Sequence, residues 1–376
     1  MTIVFMFAGA LLMYLFLRRY YNKSWDKKLG VEVRLSKSEA VCGDKVDLIE
    51  TVTNQKRLPL PILEVKFQVD KELEYLDQND NHKVTDRNYR DDIFSLLSYQ
   101  RITRTIPMTC TKRGFYKVDN LQLVSTGIFM NDVCVTQLPV NSSIIVYPKQ
   151  IDASELDAYV AAIFGQSERA SRLNPDPFAF RAVRDYRQDD PFNSINWKAS
   201  AKSNQLMVNE YNDSLTKSVR IILNVNPRGQ LLNERVTEYS ISIASTLSRI
   251  FIDQGYDLEF LTNAATNNSQ SAYFSPMQGK TQLDAINTYL ARVDLKKPSI
   301  DCSAFLADQL KELDKSAICP MTIIISEDCR SGLQDRIEEI TTNSFKNIWI
   351  LPSLSDEEVS DIYIHADLIP WRVKKI

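Results

Sequence analysis

Histidine, glycine and paired cysteines are what this chain has least of. It holds two histidines, His82 and His365, which are far apart and belong to no motif. A histidine-centred metal site or general base therefore has little support. None of the six cysteines stands in a Cys-x-x-Cys pair, which argues against a zinc ribbon or a thioredoxin site. They are expected to be small buried apolar residues.

Charge of one sign is also lacking. The chain has 45 basic and 48 acidic residues and a net charge of −3, so nothing in its electrostatics favours nucleic acid as a partner. Ten glycines in 376 residues supply no phosphate-binding glycine loop, and no cofactor is predicted. A hydrophobic content of 44% is typical of a folded protein, and the length predicts two or three domains.

The first long feature is an apolar run over residues 3–17. Its length is close to the roughly 17–25 residues that cross a bilayer. A secretory signal and a buried core helix fit the same run, although a positive leader and a small-x-small cleavage site are missing. We predict a transmembrane helix over residues 1–19.

Basic and aromatic residues follow this run. The basic ones are Arg18, Arg19, Lys23, Lys27 and Lys28. By the positive-inside rule they put the rest of the chain in the cytoplasm, as a single-pass protein of the cell membrane. The aromatic ones, Tyr20, Tyr21 and Trp25, are predicted to lie in the interfacial belt.

Residues 30–150 predict a β-sandwich of immunoglobulin-like type. Short alternating segments such as Val31-Glu-Val33-Arg-Leu35 recur between turn signals. Pro59 and Pro61 suit an edge strand or the entry to a strand. The polar, acidic stretch 77–92 is predicted to be a long exposed loop.

The rest of the chain predicts an α/β domain. Residues 151–215 are a connecting region with a helix over 152–164 and a loop after it. From residue 216 to 376, apolar strands alternate with amphipathic helices, and Ser355 and Glu358 have capping-box spacing. This alternation favours an open, mostly parallel sheet covered by helices. The fold class is thus α/β plus all-β.

The densest charge lies in "FRAVRDYRQDDPFNSINWKASAKSNQLMV", from Phe180 to Val208. Its arginines, acids and aromatics would suit an active site, a docking surface or an internal latch. The candidate residues for a docking surface or latch are Arg184, Asp185, Tyr186, Asp190, Asn196, Trp197, Ser200 and Lys202. In the latch interpretation, Asp190 accepts hydrogen bonds from backbone and arginine, and Trp197 packs on a sheet edge.

This stretch resembles the signature of domain-of-unknown-function family fifty-eight. The matching positions are Phe180, Arg184, Tyr186, Asp190, Ile195, Trp197, Ser200, Ala201, Lys202, Leu206 and Val208. The order of membrane anchor, β-sandwich and von Willebrand factor A-like (Rossmann-like) domain is similar to that family as well. The resemblance implies a bacterial protein that accompanies a MoxR-type AAA ATPase; it implies a partner and no activity.

Von Willebrand A domains that bind metal carry Asp-x-Ser-x-Ser after the first strand, a later Thr and a further Asp. The corresponding positions here are Asn224, Asn226, Arg228, Thr281 and Asp328. Loss of the anionic first ligand weakens a site built from hard oxygen ligands. We therefore predict no functional metal, with Arg228 filling the ion's place and Thr281 serving as a helix N-cap.

Three functions fit these features of the sequence. The first is a membrane-tethered, non-catalytic adaptor for a MoxR-type ATPase and other membrane or cytosolic proteins, and it is the one we prefer. The second is an enzyme that uses Asp185, Asp189 and Asp190, which no nucleophile or base orients. The third is a binding module, either metal-dependent as in other A domains or a stand-alone one that recognises protein through the top of its sheet.

Overall fold

The computed structural model describes residues 2–76, 82–84, 87–127, 132–152, 159, 180–187, 190, 192, 195–211, 218–227, 229, 232–312, 319–341, 344–354 and 366–373. They form two compact units, residues 1–149 and residues 150–376. Apart from Asp152 and Tyr159, the predicted 152–164 helix and the loop after it lie outside the described residues, as does the 355–358 capping box.

Unit 1 begins with helix α1, Thr2–Ser24. The helix is long and apolar enough to cross a membrane, and a signal sequence at the same place would have the same properties. Its last turns pack on the β-strands that follow. The Tyr21 hydroxyl lies 2.9 Å from Ser125 Oγ, and the Arg18 guanidinium forms two hydrogen bonds with Asp132, of 2.6 and 2.5 Å.

Two aromatic residues at the end of α1 correct the sequence prediction. Tyr21 and Trp25 are buried in the core of unit 1, so they do not lie in an interfacial belt. Tyr20 alone of the three is exposed. The belt pattern and the core pattern look alike in sequence because both place aromatic side chains directly after an apolar run.

The β-strands of unit 1 form sandwich-like, mostly antiparallel layers around one core, and only the described pair β2 and β12 is parallel. The strands are β1 Leu29–Leu35, β2 Glu39–Val41, β3 Lys45–Asn54, β4 Leu60–Asp70, β5 Leu73–Tyr75, β6 His82–Val84, β7 Arg87–Leu96, β8 Arg101–Cys110, β9 Gly114–Lys117, β10 Asp119–Thr126, β11 Val133–Leu138 and β12 Ser143–Tyr147. The described sheets have the orders β1-β3-β8-β5, β11-β10-β4-β7-β6 and β2-β12-β9. Pro61 is the second residue of β4, beside a register shift, which fits a strand entry.

The predicted exposed loop over 77–92 is wrong for its described residues 82–84 and 87–92. These residues form β6 and the first part of β7, and Asn88, Arg90 and Asp92 are buried. Residues 77–81, 85 and 86 lie outside the described residues. The polar, acidic composition indicated a solvated segment, but these three buried side chains face polar partners inside the unit.

Those partners form a buried charge network between strands of two sheets. Asp92 on β7 accepts hydrogen bonds from Arg90 and from Arg104 on β8. Glu50 on β3 is also buried, pairs in register with Arg104, and lies beside Asp92. Two acids and two arginines therefore share a site in which Glu50, Asp92 and Arg90 are buried and Arg104 is partly exposed.

Glu50 should make the stability of unit 1 depend on pH. Burial, followed by the negative charge of Asp92, raises the pKa of Glu50 to about 8. The folded protein then keeps a proton that the unfolded chain releases, so the free energy of unfolding falls as the pH rises from about 4.5 to about 8. Glu50→Gln should remove this slope and stabilise unit 1 by about 4 kcal/mol at pH 8, with little change at pH 4.5.

Hydrogen exchange of β3 and β8 amides at several pH values measures this effect. Glu39→Gln, at an exposed site on β2, is the matched control and should leave the slope unchanged. Equal slopes in wild type and Glu50→Gln would show that Glu50 is ionised in the folded protein.

Unit 2 contains a two-stranded sheet and a six-stranded sheet. Its strands are β13 Phe180–Asp185, β14 Met207–Tyr211, β15 Ser218–Leu223, β16 Asp257–Thr262, β17 Ala272–Met277, β18 Cys319–Ile325, β19 Ser344–Ser353 and β20 Asp367–Arg372. Its described helices are α2 Trp197–Ser203, α3 Glu234–Asp253, α4 Lys280–Arg292, α5 Cys302–Glu312 and α6 Ser331–Thr341.

The six-stranded sheet is mixed, with the order β17-β16-β15-β18-β19-β20. The strands β16, β15, β18, β19 and β20 pair in parallel, whereas β17 pairs with β16 antiparallel. The predicted alternation of strands and helices is confirmed. The edge strands β17 and β20 were not predicted, because their outward residues lack a continuous apolar run.

The strand order reverses at β15, from which the chain moves first to β16 and later to β18 on the other side. In open α/β sheets a crevice forms outside the carboxyl ends of strands at such a point. Helix α3 supports this arrangement: Ile241, Ala244, Leu247 and Phe251 lie on one face and are buried. Each fully buried Ile, Leu or Phe side chain among them contributes about 1.5–3 kcal/mol.

Candidate functional site

The first candidate site is the hairpin of β13 and β14 with helix α2 between its strands. Arg184 pairs in register with Val208, and Ile195 forms an isolated bridge to the same residue. The Tyr186 backbone N–H donates to the Leu206 carbonyl at 2.9 Å and extends the hairpin by one bond. The residues matched to the family signature are thus brought together locally.

Arg184 and Asp190 form a two-pronged ion pair. The guanidinium donates Nη1 to Oδ2 at 2.7 Å and Nη2 to Oδ1 at 2.6 Å, and the Arg187 backbone N–H donates to Oδ2 at 2.8 Å. The hydrogen bonds from Arg184 and then from Arg187 lower the pKa of Asp190 to about 2. Asp190 therefore stays ionised, and the pair is lost only as the pH falls through that value.

Helix α2 is joined to β14 by its first residues. The N-cap Asn196 accepts from the Ala199 backbone N–H at 2.9 Å and donates to Asn209 at 2.7 Å. Ser200 Oγ accepts from the Met207 N–H at 2.8 Å and donates to the Asn196 carbonyl at 2.8 Å. Asn and Ser are suited to this because their short side chains reach backbone groups.

Exposed aromatic side chains lie on this framework. Trp197 is 68% exposed, so it does not pack on a sheet edge as the latch interpretation required. Phe192 is 76% exposed and its ring stacks with Tyr186 at 6.1 Å between centroids. Asp185 and Lys202 are exposed as well. Arg184, Asp190, Asn196 and Ser200 thus build the framework, while Trp197 and Phe192 are presented to solvent.

The second candidate site is the carboxyl end of the six-stranded sheet at β15. Asn224 follows β15, is buried, and donates to Ser326 Oγ at 3.0 Å. Its Oδ1 accepts from the Asn226 N–H at 2.9 Å and from Asn263 Nδ2 at 3.0 Å. Asn226 Oδ1 in turn accepts from Asn263 at 2.6 Å and from the Cys302 N–H at 2.8 Å. The amide oxygens that would face a cation are therefore used within the protein.

Asp328 has a cationic partner from its own loop. Arg330 donates Nε to Oδ1 at 2.9 Å and Nη2 to Oδ2 at 2.7 Å, and Nη2 also lies 3.2 Å from Asp301 Oδ1. The carboxylate of Asp328 is buried. A guanidinium thus lies between two carboxylates after the end of β18. Arg228 lies outside the described residues, so its predicted role stays a prediction.

Thr281 is not where the prediction placed it. It is the second residue of α4, is exposed, and no described hydrogen bond joins it to Asn224 or Asp328. The N-cap is Gly279 with φ of 90°, a conformation that favours glycine, so the N-cap prediction for Thr281 is wrong. Among the described residues, no cluster of three or more His, Cys, Asp or Glu side chains suits a metal. The lack of a functional metal stays a prediction.

Sequence reasoning missed Asn263, Ser326, Asp301 and Arg330. Asn263 and Ser326 come directly after β16 and β18, which is the position where side chains of parallel strands meet. That signal was readable from the predicted strands. The predicted burial of cysteines is confirmed for Cys110, Cys302 and Cys329, while Cys42 and Cys134 are half-buried.

No family model matches this chain, and no curated protein matches it either. Solved structures resemble a part of it. A CARDB domain from Pyrococcus furiosus is 13% identical over 32% of this chain and 90% of that chain, with a TM-score of 0.20. A non-cellulosomal cohesin from Archaeoglobus fulgidus is 12% identical over 35% and 97%, with a TM-score of 0.22. Scores at this level support neither a fold nor a function.

Proposed function

We propose that this protein is a membrane-anchored, non-catalytic adaptor whose hairpin of β13, α2 and β14 docks a MoxR-type AAA ATPase in the cytoplasm. In this proposal, α1 crosses the cell membrane once, unit 1 is an immunoglobulin-like sandwich, and unit 2 contains a von Willebrand A-like domain without its metal. The adaptor would serve the assembly or maturation of a protein complex. The choice of partner comes from the resemblance to domain-of-unknown-function family fifty-eight.

The observation that carries the proposal is the exposure of Trp197 and Phe192 on a framework held by charged hydrogen bonds. Large aromatic side chains with this exposure are costly in water and are typical anchors of protein interfaces. Because Arg184, Asp190, Asn196 and Ser200 already fix the backbone around them, binding orders few additional groups. The same segment therefore holds its own backbone in place, as a latch does, and presents the aromatic side chains of a docking surface.

Catalysis has less support from the same residues. Asp190 is bound to Arg184 on both oxygens, and hydrogen bonding lowers its pKa to about 2, so it is a poor proton donor or acceptor near neutral pH. Asp185 is exposed on β13, and Asp189 lies outside the described residues. An interface is thus a better use of this charge than acid–base chemistry.

Trp197→Ala should weaken capture of the ATPase by about 30-fold in Kd, the effect of losing about 2 kcal/mol at an aromatic anchor. Folding should be unchanged, because the side chain is mostly in solvent. The measurement is capture by the detergent-solubilised full-length protein, with mass spectrometry for identity and titration for affinity. Met277→Ala removes another exposed apolar side chain from unit 2 and is the matched control.

Arg184→Lys separates the framework from the anchor. This variant should lower both the melting temperature of the hairpin and the affinity for the ATPase, because lysine does not reproduce the paired hydrogen bonds to Asp190. Undiminished capture by Trp197→Ala would refute the docking surface. Failure of the wild type to capture any AAA ATPase would refute the adaptor and leave a stand-alone binding module.

A further inference from the structure

We propose that one end of unit 1 binds the anionic lipid headgroups of the membrane that α1 enters. This helix-exit surface consists of Lys27, Lys28, Arg57, Leu97, Tyr99 and Arg101. The inference rests on the membrane anchor in the proposed function and is independent of the ATPase. Its ligand class is the phosphate-bearing surface of the bilayer.

The strand register places the β3–β4 connection and the β7–β8 turn, which carry this surface, at the same end of unit 1. Leu60, the first residue of β4, pairs with Leu96, the last residue of β7. Thr53 near the end of β3 pairs with Arg101 at the start of β8, and Leu29, which follows α1, pairs with Asn54. The β3–β4 connection, the β7–β8 turn and the end of α1 therefore lie together.

Hydrogen bonds attach these turns to the helix end. The Lys56 ammonium donates to the Trp25 carbonyl and to the Lys27 carbonyl, the second at 3.0 Å. The Gln55 N–H donates to the Lys28 carbonyl at 3.0 Å, and the Tyr99 N–H donates to the Lys56 carbonyl at 3.2 Å. Arg18 and Tyr21 of α1 also form hydrogen bonds with Asp132 and Ser125. The helix-exit surface therefore keeps a fixed position relative to the end of the apolar run.

The side chains of the helix-exit surface suit headgroups. Leu97 and Tyr99 are each 68% exposed at the tip of the turn. Lys27, Lys28, Arg57 and Arg101 are exposed around them, against one exposed acid on the same segment, Asp26. Basic side chains attract anionic leaflets, and tyrosine prefers the boundary between headgroups and water.

The length of chain between the apolar run and Trp25 sets how far the helix-exit surface lies from the hydrocarbon core. Trp25 follows Leu17, the last residue of the apolar run, by eight positions. At about 1.5 Å per residue this is about 12 Å along the axis. The headgroup layer extends about 5–7 Å beyond the hydrocarbon on each side. Trp25 thus lies about 5–7 Å outside the headgroup layer, a gap that the long side chains of the neighbouring lysines can span.

Photocrosslinking in nanodiscs tests the surface in the full-length chain. p-Benzoylphenylalanine replaces Phe7, Tyr99 or Tyr89, one at a time, in nanodiscs of phosphatidylglycerol and phosphatidylcholine with clickable lipid tails and headgroups. Phe7 lies in the exposed apolar part of α1 and reports the anchor. Tyr89 is an exposed aromatic on β7, the strand that leads to the tip, eight residues before Leu97 and therefore about 26 Å from it.

Tail crosslinks at position 7 and headgroup crosslinks at position 99, with no lipid crosslinks at 89, would support the proposal. Crosslinks at 7 without any at 99, or crosslinks at 99 to protein only, would overturn it and leave the anchor in place. No lipid crosslink at 7 would overturn the anchor and this inference together, whatever the ATPase does.

Charge variants give a second, independent measure. Lys27→Gln, Arg57→Gln and Arg101→Gln should each lower the yield at position 99 in phosphatidylglycerol by about fivefold at low ionic strength. The yield at position 7 should stay constant. An equal yield at 99 in pure phosphatidylcholine nanodiscs would show that headgroup charge is not recognised and would overturn the ligand class.

Discussion

Asp92→Asn is expected to lower the free energy of unfolding of unit 1 by about 3–5 kcal/mol, the cost of removing one partner from a buried ion pair. Asp92 is completely buried and accepts hydrogen bonds from Arg90 and Arg104. Arg90 is itself buried, so its guanidinium cannot regain water when the carboxylate is lost. Urea denaturation followed by hydrogen exchange of β4 and β7 amides measures the change within this unit.

The neighbouring Asp91→Asn is the matched control for this experiment. Asp91 lies on the opposite face of β7, is about half exposed and pairs with Lys66 at 3.0 Å. Exposed pairs contribute about 0–1 kcal/mol, so this variant should unfold nearly as the wild type does. Similar losses for the two variants would mean that Asp92 is hydrated and that the network is not a buried one.

The second large effect is expected at the end of β18. Arg330→Met removes the cation from the buried carboxylate of Asp328 and should destabilise unit 2 by about 3 kcal/mol. The methionine retains much of the apolar stem, so the loss reports charge and hydrogen bonding rather than volume. Hydrogen exchange of β15 and β18 amides in urea is the measurement.

Arg336→Met provides the comparison, because Arg336 pairs with Glu339 on the exposed face of α6 at 2.8 Å. It should cost at most about 1 kcal/mol. If both arginine variants lost the same small amount, Arg330 would be an ordinary surface residue.

The two buried pairs explain why sequence patterns were read wrongly at those places. In the stretch 77–92, the polar, acidic composition indicated a solvated loop, whereas Asp92 pairs with Arg104 on β8 and Asn88 donates to the Leu73 carbonyl on β5. The metal-site positions were identified by spacing along the chain, yet the cation that serves Asp328 is two residues further on. Periodicity reports which side chains share a face, but not which charge the opposite element supplies.

Residues near helix ends show the same limit. Thr281 has the residue type of an N-cap, but a positive φ at Gly279 starts α4 two residues earlier. Tyr21 and Trp25 have the residue types of a membrane belt, but they complete the core of unit 1. Residue type alone does not separate two environments that both favour it.

The sequence by itself determined the apolar helix, the β-rich first unit, and the alternation of strands and helices in the second. These follow from hydrophobic period and from turn residues, which are local along the chain. Only the tertiary structure decided that Trp197 faces solvent, that Arg330 pairs with Asp328, and that the turns beside Lys56 adjoin the end of α1. Each of these depends on contacts between residues distant in sequence or on the exact path of a loop, and no local pattern encodes them.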